Sequence, residues 1–118
     1  MKEIIRKHTI SFKHAFDGLA WSLRTQPNFR IHLVLAAIAL GLSAYFDITK
    51  TEWAIIIFTI VLGLTAELIN TAIESMTDLI TKEWREEAKI AKDVSAGMML
   101  TVAVGAVIVA IVIFGHYI

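Results

Sequence analysis

Residues 53–66, WAIIIFTIVLGLTA, run without a charge. Residues 67–78, ELINTAIESMTD, continue the same apolar rhythm but add Glu67, Asn70, Glu74 and Asp78. The first stretch reads as a helix inside a membrane, and the second as the same helix leaving it. Three carboxylates and an amide at the exit of a membrane helix need a reason.

Two further runs flank this one. Residues 31–46 (IHLVLAAIALGLSAYF) contain no Asp, Glu, Lys or Arg, with His32 at their start, and residues 94–115 (VSAGMMLTVAVGAVIVAIVIFG) are uncharged throughout. A helix needs roughly 20 residues to cross a hydrocarbon core of about 30 Å. The last run meets that alone, and the other two meet it with their flanks. Three such runs in 118 residues leave almost nothing to bury them. The chain is therefore predicted to be an all-α membrane protein with three transmembrane helices. Its composition agrees: 57% hydrophobic, with a mean hydropathy of +0.68, against about 45–50% apolar residues in soluble domains.

There is one proline, no cysteine and no repeat or low-complexity tract, so a single domain over 1–118 is expected, without disulfides or thiolate metal sites. A formal net charge of zero gives no reason to expect nucleic acid as a partner. The N-terminus, MKEIIRKHTISFKHAF, has no apolar core of signal-peptide type, so targeting is expected from the body of the chain.

The connection between the first two spans, DITKTE (47–52), is short and makes them an antiparallel pair, with Thr49 and Glu52 at capping-box spacing. Ten of the eleven basic residues lie before the first span or between the second and third, Lys50 being the exception. The positive-inside rule then puts the N-terminus and the 79–93 loop in the cytoplasm. Before the first span, Ile5, Phe12, Phe16, Leu19 and Leu23 share one helical face, which reads as an amphipathic helix on the membrane surface. A soluble helix packed on a partner would show the same pattern. The expected boundaries are 1–25 for the surface helix and 29–47, 52–80 and 93–115 for the three spans, the second extending into the cytoplasm.

At 100° per residue, Glu67, Asn70, Glu74 and Asp78 fall within an arc of about 80° and span about 16 Å of rise. The stripe begins inside the apolar boundary and ends in water, where Lys92-Asp93 opens the third span at the same face. A carboxylate at lipid depth costs roughly 2.5–3.5 kcal/mol on insertion scales and marks function by default. Close carboxylates repel unless a cation sits near them, and Mg²⁺ suits hard oxygen ligands completed by substrate phosphates. The chemistry suggested is phosphoryl transfer from ATP to a lipid alcohol. Glu67 is the acid placed to accept the hydroxyl proton, and poor hydration makes it a stronger base. Asn70 can orient that base or a phosphate, and Lys92 can meet phosphate charge. No Walker loop, GxGxxG or His/Cys cluster is present.

The stretches AELINTAIESMTDLI and AKDVSAG, with SFKHAFDGLAWSLRTQPNFRIHL upstream, resemble the bacterial membrane-integral diacylglycerol kinase family, which includes the undecaprenol kinases. The resemblance covers nearly the whole chain. It implies a multi-pass protein of the bacterial inner membrane, a homotrimer whose active sites are shared between subunits and use Mg-ATP. By that resemblance Glu67 is the general base and Asn70 the amide beside it. Glu74 is a metal ligand. Lys7, His14, Asp78, Glu83, Arg85, Lys92 and Asp93 contact the nucleotide. Gln26 departs from the pattern: it stands where the best-known members carry a second metal-binding glutamate, so it offers a neutral oxygen in place of a charge. A structural role before Pro27 is the alternative account of Gln26. NFRIHL and DLIT look more like the undecaprenol branch than the diacylglycerol branch.

Two other readings compete. A structural or regulatory membrane subunit with a decayed site would account for Gln26. A small proton-coupled transporter would account for Glu67, but not for the convergence of Asn70, Glu74, Asp78 and Lys92-Asp93 on one face.

Overall fold

Pro27 decides the first bend of the chain. A residue before proline is pushed out of the α region, and Gln26 accordingly takes φ −107°, ψ 102°, ending one helix while Pro27 opens the next at a position where its missing N–H costs nothing. The computed structural model describes Met1–Ile118 as four helices without strands: α1 (Lys2–Thr25), α2 (Pro27–Tyr45), α3 (Lys50–Ile80) and α4 (Glu86–Phe114). The last three are each long and apolar enough to cross a membrane. The expected all-α membrane class is borne out.

α2 reverses into α3 through a tight turn in which Asp47 takes φ 50°, a left-handed conformation that Asp tolerates better than most residues. The reversal is held by Ile48 N–H donating to Ser43 O and Asp47 N–H donating to Ala44 O. α3 then starts on a full capping box. Glu52 N–H donates to Thr49 Oγ1 at 3.2 Å, and Thr49 N–H donates to Glu52 Oε2 at 3.3 Å. At 31 residues α3 is about 46 Å long, well over the thickness of a bilayer core. α4 begins at Glu86, about two turns before the boundary expected at 93. Glu86 and Glu87 favour the positive end of the helix dipole, and Ala88 and Lys89 are strong helix formers. The connection from α3 is thereby cut to Thr81–Arg85.

α3 packs against both α4 and α2, while α1 makes its main contacts with α2. The molecule is broad and thin, 49 × 47 × 22 Å, because α1 extends away from the bundle. Its apolar face, including Phe12 and Phe16, stays exposed within the chain. Only 14 of 118 residues are buried. The spans turn most of their apolar surface outward, as a fold solvated by lipid or by other subunits must.

The buried set divides in two. At the end holding the 46–49 turn and the C-terminus, Ile48, Ile56, Ile113 and Phe114 form an apolar cluster flanked by Phe46, Trp53 and Tyr117. There the Phe46 and Tyr117 rings stack at 5.8 Å, and the Tyr117 hydroxyl donates to Glu52 Oε2 at 2.6 Å. Toward the other end, the buried residues of α3 and α4 are largely polar: Glu67, Asn70, Thr71, Thr77 and Ser95.

Candidate functional site

The acidic stripe is a gradient of burial along one helix. Glu67 is 3% exposed and Asn70 9%, whereas Glu74 and Asp78 are exposed. α4 covers the buried half and α2 closes its flank. Gly63, one turn before Glu67, marks where the three spans meet: a methyl group there would be in ordinary contact with both neighbours, 3.8 Å from His32 Nδ1 of α2 and 4.0 Å from Val102 of α4.

Two contacts fix the buried half. The Ser95 hydroxyl donates to Asn70 Oδ1 at 2.5 Å, joining α4 to α3 through a fully buried bond. With its carbonyl engaged, Asn70 keeps its amide N–H groups for another acceptor. Glu67 accepts no hydrogen bond from any side chain. Its nearest charged or chargeable partner on another helix is His32, with Nε2 3.9 Å from Glu67 Oε2. A buried carboxylate with free acceptor capacity suits an incoming hydroxyl.

The exposed half is an ion-pair cluster. Lys92 Nζ donates to Asp78 Oδ1 at 2.8 Å, tying the start of α4 to the end of α3. The hydrogen bond to Asp78, reinforced by its charge, holds the Lys92 ammonium above its ordinary range. Lys89 donates to Asp93 at 2.5 Å one turn along α4, and Arg85 donates to Glu83 at 3.3 Å in the loop. Both pairs are solvent-exposed, so they contribute little to stability.

Glu67, Asn70, Glu74, Asp78 and Lys92 thus lie on one continuous surface. Lys7 and His14 sit on the exposed α1, and their side chains make no hydrogen bond or ion pair with the stripe. Gln26 is half-buried at the bend, where its amide donates to Thr25 Oγ1 at 3.2 Å. α2 and α3 run antiparallel with His32 beside Glu67, and Gln26 makes no hydrogen bond with Glu74.

Two residues that this arrangement makes part of the site carried no role in the sequence reading. His32 was visible there as a titratable side chain at the head of an uncharged run. Ser95 was visible as one of two hydroxyls in the third span. Which side chain each would meet depends on helix packing.

As for metal capacity, no three His, Cys, Asp or Glu side chains converge anywhere in the chain. A cation held here would rest on one or two oxygen ligands and take the rest from phosphate and water, which is the habit of Mg²⁺. The donor set fits that ion and does not fit a self-sufficient metal cage.

Residues 13–114 match the family described as prokaryotic diacylglycerol kinase. Among relatives, a diacylglycerol kinase of Synechocystis sp. is 38% identical over 101 residues, 85% of this chain and 58% of that protein. An undecaprenol kinase of Bacillus subtilis is 38% identical over 104 residues, 88% of this chain and 85% of that protein. A diacylglycerol kinase of Escherichia coli is 25% identical over 105 residues, 88% of this chain and 86% of that protein. The chain spans less than two thirds of the Synechocystis relative and most of the other two.

Proposed function

Because the chain belongs to the prokaryotic diacylglycerol kinase family, whose members phosphorylate a lipid at the expense of ATP, we propose that it transfers the γ-phosphate of Mg-ATP to the primary hydroxyl of undecaprenol or diacylglycerol, with Glu67 as general base. The support comes from the stripe itself. Glu67 is buried and accepts no hydrogen bond, while Asp78 and Lys92, on the same surface, stand in solvent. A lipid alcohol and a nucleotide can each reach one end.

Glu67 accepts the hydroxyl proton and the alcohol oxygen attacks the γ-phosphorus. The bond from that phosphorus to the β,γ-bridging oxygen breaks, and ADP leaves with the electron pair. Asn70, held through its carbonyl by Ser95, orients the alcohol or a phosphate oxygen with its amide N–H groups. Glu74 and Gln26 are the residues that would hold Mg²⁺, which when bound neutralises phosphate charge. Lys92, Asp93, Asp78, Lys7, His14, Glu83 and Arg85 position the nucleotide. In this reading the N-terminus and the 79–93 loop are cytoplasmic, α1 lies on the membrane surface, and a homotrimer shares its sites between subunits.

Relatives of both names stand at 38% identity, so identity does not choose the acceptor. NFRIHL and DLIT favour undecaprenol. The test is transfer of labelled γ-phosphate to each lipid, side by side in nanodiscs, with Glu67→Gln as control. The expected result is label in a lipid and a fall in the mutant of about 10²–10⁴-fold. Near-normal turnover in Glu67→Gln would remove Glu67 as the base. Gln26→Glu should lower the KM for Mg-ATP if the missing carboxylate limits metal binding. An unchanged KM would make Gln26 structural.

A further inference from the structure

Phosphorylating an alcohol with ATP near neutral pH releases a proton, and in the proposed reaction that proton lands on Glu67. Glu67 is only 3% exposed, so its carboxylate has little contact with solvent. It must be emptied before the next turnover.

His32 is the group placed to empty it. Its ring lies beside Gly63, with Nδ1 on that side and Nε2 3.9 Å from Glu67 Oε2. The His32 side chain is 25% exposed against 4% for that of Glu67, so the ring is the more accessible of the two groups. No other titratable side chain offers the same path. Glu74 lies two turns further along α3, and Lys92 is tied to Asp78. α4 meets this layer between Ser95 and Val102, a stretch without a titratable residue.

We propose that His32 is the positioning residue of Glu67 and the next station of its proton. The inference rests on Glu67 being the base. After attack, the Glu67 carboxylic acid gives its proton to neutral His32 Nε2, restoring the carboxylate, and the imidazolium loses a proton to water. A movement of about 1 Å, or one bridging water, brings 3.9 Å into hydrogen-bond range. Between turnovers the imidazole also aims the carboxylate along the face where the alcohol must arrive.

The test uses the full-length protein in nanodiscs, with His32→Ala, His32→Gln and Glu67→Gln assayed together at saturating lipid and Mg-ATP. For His32→Ala, kcat should fall by about 10²-fold with the KM for Mg-ATP unchanged. Added imidazole should restore kcat in a saturable way, more at a pH where it is neutral, whereas His32→Gln should stay slow and Glu67→Gln should not respond. A merely structural histidine would give no rescue by imidazole. Wild-type kcat in His32→Gln, or a slow His32→Ala that imidazole leaves slow, overturns the inference while an inactive Glu67→Gln keeps the base. An active Glu67→Gln brings down the base reading, and this inference with it.

Discussion

Ser95 and Asn70 show how much one hydrogen bond can direct. The 2.5 Å contact fixes how the Asn70 amide is turned. Ser95→Ala would leave a buried carbonyl oxygen unpaired, at about 1–3 kcal/mol, and would let the amide turn. We expect a stability loss within that range, read from unfolding in mixed micelles, together with a drop in kcat larger than any change in KM. A drop in stability alone would make the bond purely structural. Asp78 poses the complementary question, because it already occupies the ammonium of Lys92. If Asp78 contacts the nucleotide as proposed, Asp78→Asn raises the KM for Mg-ATP several-fold. A lower KM would instead mean that Asp78 holds Lys92 back from phosphate.

At the scale of elements, the helix ends carry the informative chemistry. The first turn of α3 is capped twice, by Thr49 and, through Glu52, by the Tyr117 hydroxyl beyond the end of α4. Hydrogen bonding to Glu52, with some burial and the charge of Glu52, raises the Tyr117 phenol above its ordinary value. The folded state therefore holds the phenolic proton more tightly than the unfolded chain does. The stabilisation is complete below the ordinary tyrosine range, at a pKa of about 10, and is lost as pH climbs through the higher folded value. The thermal midpoint of the wild type should drop more between about pH 9 and 12 than that of Tyr117→Phe, which has no proton to lose; parallel curves would refute the tie. In the preceding turn, Asp47→Val forces a β-branched residue to φ 50° and should cost about 1–2 kcal/mol. Asp47→Gly should be close to neutral in the same unfolding assay.

For the whole molecule, the telling fact is how little the chain buries by itself. Its spans expose long apolar faces, and α1 stands off from the bundle with Phe12 and Phe16 unburied. The proposed homotrimer would cover both, and its shared sites make it testable by mixing. Subunits carrying Glu67→Gln, co-assembled with subunits carrying Lys7→Met, should recover part of the activity that neither has alone, because Lys7 makes no hydrogen bond or ion pair with the stripe of its own chain and would serve a neighbour's site. Mixtures as inactive as the parents would place a full site in each subunit.

Much of this was legible in the residues. The three uncharged runs required membrane helices, Pro27 the bend and Thr49 with Glu52 the start of α3. The four-residue stripe followed from helical period alone, because spacing along one helix fixes which side chains share a face. What lies across from that face is set by the angle and register at which separate helices pack, and no local pattern encodes it. The sequence by itself therefore determined the apolar helices and the stripe along one face of α3. The tertiary structure alone decided that His32 stands beside Glu67, that Ser95 holds Asn70 and that Lys92 is paired with Asp78.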